Sequence, residues 1–195
     1  LGPKRMVAAG EISPKAMSIV SAVLIIITFL LGLILVFKAG WVILAVGVLS
    51  LFFAWAYTGG PYPLAYKGLG DIFVLVFFGI AAVCGTYFIQ TGTVKFLVFL
   101  VSLGPGFLSM NLLGVNNIRD IETDKKAGKM TLAVRLGRKK SNTLYTVLMG
   151  AVFVLPFAIG HITQSFFNLI PLFSIPLAYS LVRQIYRYNG KKLIE

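Results

Sequence analysis

The stretch SAVLIIITFLLGLILVF, residues 21–37, runs from Ser21 to Phe37 without a charge. A bilayer core about 30 Å thick is crossed by roughly 20 apolar residues in a helix that rises about 1.5 Å per residue. The run fits that requirement, and the short polar LGPKR ahead of it does not have the form of a cleaved leader, so the reading is a retained membrane span. Working outward, six such spans run from Ala16 to Phe37, Gly40 to Tyr57, Ile72 to Thr91, Val94 to Val115, Asn142 to Gly160 and Ser165 to Val182. Gly and Pro within the fourth, in LVSLGPGFLSM, are tolerable in lipid because neighbouring helices re-satisfy the backbone. Of the 195 residues 58% are hydrophobic and 12% charged, and the mean hydropathy is +0.90. A soluble domain carries about twice that charge and a disordered chain far less apolar surface. The sequence therefore predicts an all-α membrane protein, one domain over 1–195, with the lipid bilayer as its surroundings.

The net charge of +12 suggests a nucleic-acid partner only until the basic residues are placed. Six spans put both termini on one side, and 16 of the 18 Lys and Arg fall there, in the segments around Lys4, Lys67, Arg119 to Lys140, and Arg183 to Lys192. Lys38 and Lys95 alone lie opposite. Lys and Arg collect in cytoplasmic loops, so the expectation is cytoplasmic termini, cytoplasmic loops at 58–71 and 116–141, and no nucleic acid. Cys84 is the single cysteine, which excludes an internal disulfide and a Cys-cluster metal site.

The acids are scarcer and more informative. Glu11, Asp71, Asp120, Glu122, Asp124 and Glu195 are all there are, and three of the six fall within NNIRDIETDKKAGKMTLAVRLGRKK, which begins at Asn116. On a helix, Asn116, Asp120 and Asp124 share one face while Glu122 points elsewhere. Two carboxylates and an amide oxygen in a row make a hard oxygen-ligand set, which suits Mg²⁺ bound through one or two carboxylates and a substrate phosphate. The adjacent Arg119, Lys125, Lys126, Lys129 and Arg135 are placed to hold the remaining anionic oxygens. A bare DxxxD is common on helices, and a solvated, topological loop is the plain alternative. The concentration of scarce acids beside two Asn favours a pyrophosphate site.

At these residues the sequence resembles the UbiA superfamily of intramembrane prenyltransferases. NNIRDIETDKKAGKMTLAVRLG, Asn116 to Gly137, is similar to the second aspartate-rich motif of the branch that prenylates 1,4-dihydroxy-2-naphthoate in menaquinone biosynthesis. AWAYTGGPYPLAYKGLGDIFVLVFFG, Ala54 to Gly79, resembles that branch's loop between its fourth and fifth helices, and GPKRMVAAGEIS, Gly2 to Ser13, the segment after its first aspartate-rich motif. The resemblance implies a bundle of nine membrane helices around a cavity open to the cytoplasm, of which these six look like helices three to eight. It implies an enzyme of the cell (inner) membrane that transfers a polyprenyl group from polyprenyl pyrophosphate to 1,4-dihydroxy-2-naphthoate, with loss of CO₂, giving demethylmenaquinone with Mg²⁺ as cofactor. Residue by residue it carries over Asn116, Asp120 and Asp124 as metal ligands; Asn117, Arg119, Lys125, Lys129 and Arg135 as substrate-binding groups; and Tyr62 and Lys67 as catalytic groups facing the pyrophosphate. Tyr62 and Lys67 are five residues apart, against the four common elsewhere in the superfamily. The family's first aspartate-rich motif and two earlier helices have no counterpart from Leu1 onward, so a chain truncated at both ends, with half its metal clamp and little activity alone, is expected.

Trp55, Tyr57, Tyr62 and Tyr66 near the end of the second span suit either an interfacial aromatic belt or the stabilisation of an allylic cation. The small residues Gly79 to Ala82 and Gly104 to Gly106 suit close helix packing or room for a prenyl tail. Asp71, at the start of the third span, suits a helix N-terminus or a place beside the substrate. Within the family the alternative acceptors are 4-hydroxybenzoate and homogentisate. Outside it, a small membrane transporter or an inactive fragment is the competing class; transporters place charges inside spans, and here no span interior carries one.

Overall fold

Because hydrocarbon offers no partner to a backbone N–H or C=O, a chain in lipid must close its hydrogen bonds within helices or a closed barrel. The computed structural model describes residues 6, 7 and 9–188, and among these every regular element is helical. Lys4, Arg5, Lys191 and Lys192 of the charge count lie outside the described residues, as do Gly2, Pro3 and Ala8 of the GPKRMVAAGEIS block. Six helices are long and apolar enough to cross a membrane, so the protein is an all-α, multi-pass integral membrane protein. They are α1 (Pro14–Ala39), α2 (Trp41–Thr58), α3 (Gly70–Thr91), α4 (Phe96–Arg119), α6 (Leu132–Thr163) and α7 (Phe166–Arg187), with the short α5 (Ile121–Lys126) between α4 and α6.

The chain divides into two compact units, Leu1–Phe52 and Phe53–Glu195. In the first, Ser13 caps α1 by accepting from the Ala16 N–H at 3.1 Å, Pro14 opens its first turn, and Lys38 occupies its last. Each of these suits the helix end where it stands. No described residue of α1 is buried within the chain, which is the surface a lipid-facing helix presents.

The second unit carries the packed core. α3 begins as an α-helix, changes to i→i+5 bonding over Leu75–Ala81, and continues as an α-helix from Ala82. Phe53 and Phe73 lie 4.8 Å apart between ring centroids and Phe73 and Phe77 6.0 Å, which fixes the end of α2 on α3. Phe78, two-thirds exposed, points away from this stack. Lipid tails are as apolar as Leu, so helices in a bilayer associate chiefly by close packing over small residues. Here α3 and α4 meet at Gly79 and Gly106, where a Cβ on Gly79 would stand 2.7 Å from the Gly106 Cα and 2.8 Å from the Ser102 carbonyl oxygen. Of the two meanings open for these small residues, packing is the one observed. Ile118, Tyr145, Met149, Ala178 and Ile185 then join α4, α6 and α7 in one apolar cluster. The Asn142 amide donates to the Ile185 carbonyl at 3.1 Å and Arg138 to the Tyr188 carbonyl at 2.5 Å, which fastens the end of α7 to α6.

The helices outrun the hydropathy at several ends, α7 running to Arg187, five residues past Val182. α6 starts at Leu132, ten residues before Asn142, capped by Thr131 and broken only at Gly137 (φ 73°). α4 continues past Val115 to Arg119. Arg and Lys are good helix formers, so charge ends an apolar span without ending the helix.

The Gly79 contact is with backbone, which cannot swing aside. Gly79→Ala is expected to cost about 1–3 kcal/mol, the range of overpacking a tight core. Gly85→Ala, with nothing within 4 Å of the added Cβ, is expected to be neutral or mildly stabilising. Thermal midpoints in detergent check the pair, and equal midpoints would refute the close crossing.

Candidate functional site

α4 does not end cleanly at the bilayer surface. Its hydrogen-bond ladder passes through the junction residue Asp120, whose N–H donates to the Asn116 carbonyl at 3.1 Å, and the Asp124 N–H donates in turn to the Asp120 carbonyl at 2.8 Å. The i, i+4, i+8 relation of Asn116, Asp120 and Asp124 therefore survives the passage from α4 into α5. Asn116 is exposed, and its amide nitrogen is spent on the Leu112 carbonyl at 3.3 Å, which leaves its side-chain oxygen outward.

Each carboxylate of the row has its own cation. Arg119 donates to Asp120 through Nε at 2.6 Å and Nη2 at 2.5 Å, a two-point grip, and Lys129 Nζ reaches Asp124 at 3.1 Å and 3.3 Å. The Lys129 N–H also donates to the Asp124 carbonyl at 2.8 Å, so the turn that ends α5 places its own counter-ion. The Arg119 guanidinium, hydrogen-bonded to Asp120, holds that carboxyl below the usual carboxylate range. Two of the cations expected to hold substrate thus rest on the acids, while Lys125 and Arg135 are exposed.

The second loop is drawn to the first by main-chain atoms. The Met130 N–H donates to the Tyr66 carbonyl at 3.0 Å. Gly68, at φ 73°, lies against Arg135 and the Met130 carbonyl, and a Cβ there would stand 2.9 Å from Arg135 Nε. A side chain at that position would meet both a left-handed backbone and a filled space. Within this loop Lys67 Nζ sits 4.9 Å from the centre of the Tyr62 ring, which is 58% exposed. Such an exposed cation–π contact is worth about 0.5–1 kcal/mol, enough to bias Lys67 without locking it. Tyr62 and Lys67 are brought together, and their loop meets the loop of Lys129 and Arg135.

Asn117 goes elsewhere. It is 7% exposed, and with Asp71, Asn111, Ser141 and Tyr145 it lines a cavity of about 20 Å³ between α3, α4 and α6. Sequence reasoning passed over Asn111, whose only signal is one amide in the apolar run FLSMNLLG, residues 107–114.

Among the described residues no three His, Cys, Asp or Glu converge as a self-sufficient metal cage. Two carboxylates and one amide oxygen, flanked by Arg and Lys, are of the oxygen-donor type that suits a hard cation sharing its shell with a phosphate and water. Residues 2–193 match the UbiA prenyltransferase family. The chain belongs to the UbiA prenyltransferase family. It is 39% identical to the 1,4-dihydroxy-2-naphthoate octaprenyltransferase of Haemophilus influenzae over 82% of its own length and 54% of that relative's. The Mycobacterium tuberculosis octaprenyltransferase of the same name is 39% identical over 82% of this chain and 54% of its own. The Escherichia coli one is 34% identical over 96% and 63%. The chain thus spans between half and two-thirds of the length of these relatives. No solved structure matches it.

Since the Asp120 carboxyl ionises below its ordinary range when folded, the pair with Arg119 adds stability at and above neutral pH, and that contribution is lost as pH falls through the depressed value. A carboxyl ¹³C titration by NMR is expected to find Asp120 below an ordinary Asp and to find it moved upward in Arg119→Gln. An unmoved titration in that variant would refute the assignment of cause.

Proposed function

We propose that this UbiA-family protein takes part in the transfer of a polyprenyl group from polyprenyl pyrophosphate to 1,4-dihydroxy-2-naphthoate, with loss of CO₂, as a step toward menaquinone. The observation that carries the reading is the row Asn116, Asp120 and Asp124, joined by two i→i+4 bonds across the turn at the end of a membrane span. The three relatives, each bearing the name of that activity, support the acceptor. The match over residues 2–193 supports one prenyltransferase domain along the whole length.

Mg²⁺ bound at the row would neutralise the pyrophosphate oxygens as the allylic carbon–oxygen bond breaks. Asp120 and Asp124 would hold it, with the Asn116 side-chain oxygen completing the row. Arg119 and Lys129 rest on these carboxylates and would be at hand to neutralise an anionic leaving group held beside them. Lys67 and Tyr62, on the loop tied to this one, would add a cation and a phenol toward the same pyrophosphate. Lys125 and Arg135, exposed beside the row, add attraction at longer range, which salt weakens. The helical walls below are apolar, as a chain of isoprene units requires. The clustering of Lys and Arg beside the spans supports both loops facing the cytoplasm, in the cell membrane.

The test uses the protein as its gene encodes it, in membranes, with prenylated naphthoquinone as the product measured. Asp120→Ala and Asp124→Ala are each expected to reduce turnover about 100-fold or more, as loss of groups that stabilise developing charge does. Lys38→Ala, in the last turn of α1 and outside the proposed machinery, is expected to stay within about twofold. Parental turnover in both Asp variants would overturn the reading.

A further inference from the structure

Buried polar groups in folded proteins are almost always paired, and an exception calls for a reason. Asn111 is 4% exposed, and neither its amide nitrogen nor its oxygen has a hydrogen-bond partner. Asp71, 6% exposed, takes part in neither of the ion pairs found among the described residues. The two line the same cavity, at about 20 Å³ large enough for one oxygen with its hydrogen. An apolar side chain in place of Asn111 would cost the fold no hydrogen bond, and Asp71, in the first turn of α3, is an acid that the fold keeps out of water.

Position narrows what enters. Asn117, in the cavity wall, directly follows Asn116 of the row, and Asn111 is about 7–8 Å along the helix axis from Asn116. The carbon that receives a prenyl group must touch the allylic carbon, which is itself bonded to the pyrophosphate. A pocket just beneath the row is therefore where the acceptor stands. A carboxylate only accepts hydrogen bonds while an amide also donates, so together they suit a group that does both. Leu144 and Leu148 supply an apolar wall for a ring.

We propose that Asp71 and Asn111 form the hydroxyl-recognition pocket for the aromatic acceptor: a phenolic O–H enters the cavity, donates to the Asp71 carboxylate and accepts from the Asn111 amide. The proposal rests on the prenyl-transfer reading above and adds to it the residues that choose the acceptor. Sites built to bond a hydroxyl reject analogues without it strongly, because their own polar groups are left unpaired.

The experiment measures kinetics of the protein as its gene encodes it, in membranes, with 1,4-dihydroxy-2-naphthoate and its two mono-O-methyl ethers. The parent is expected to prefer the free hydroxyl over at least one ether by about 100-fold in kcat/KM. Asn111→Leu and Asp71→Asn are each expected to raise the acceptor KM about 10-fold or more and to reduce that preference below about 10-fold, with the KM for polyprenyl pyrophosphate within about twofold of parental. Asn111→Leu removes an unpaired amide for an apolar group of similar size, so its thermal midpoint is expected at or above the parent's, and it decides the matter if Asp71→Asn fails to accumulate. A parental acceptor KM and preference in Asn111→Leu would make the cavity a structural water site and overturn the pocket. If Asp120→Ala also kept full turnover, the prenyl-transfer reading would fall with it; if Asp120→Ala abolished turnover, only the pocket would.

Discussion

Hydrocarbon cannot hydrogen-bond, and that single fact arranges this molecule. It forces the backbone into helices and banishes irregular chain to the surface or to places enclosed by protein. The departures from α-helix obey it: the 3₁₀ turn at Leu64–Lys67 and the junction at Asp120 lie at helix ends, and the i→i+5 turns of Leu75–Ala81 are packed against α4. The polar chemistry is accordingly concentrated at helix ends and just beneath them. Association of the helices then falls to shape, which is why two glycines facing each other matter more than any pair of large apolar residues in the second unit.

The acid row illustrates how such a site stays folded without its substrate. Two carboxylates on one helix face repel each other, and here each is matched by its own cation, Asp120 by its neighbour Arg119 and Asp124 by Lys129 five residues on. The exposed pairs contribute little to stability. Their value lies in neutrality, since the loop balances its own charges. The same cations are in place when an anion arrives.

Much of this was legible in the residues. The six spans follow from apolar runs too long for anything else, and the row from the rarity of acids in the chain. The ends of α4 and α6 were misjudged because hydropathy reports lipid exposure whereas helix propensity reports backbone, and Arg135, Arg138, Lys139 and Lys140 satisfy the second but not the first. Asn111 left a signal too small to read, one amide among apolar neighbours, and its meaning depends on Asp71 from another helix. The facing of Gly79 and Gly106 depends on where two helices cross, which neither local sequence contains.

The bond between the Met130 amide and the Tyr66 carbonyl belongs wholly to the main chain, so it has no side chain to lose. Almost any residue at either position preserves it, proline at 130 being the exception because it has no N–H to give. The frame that holds the two loops in register is thus insulated from their sequences. Side chains around it are free to diverge, and a family that meets new ring systems can alter what the loops present while keeping where they stand.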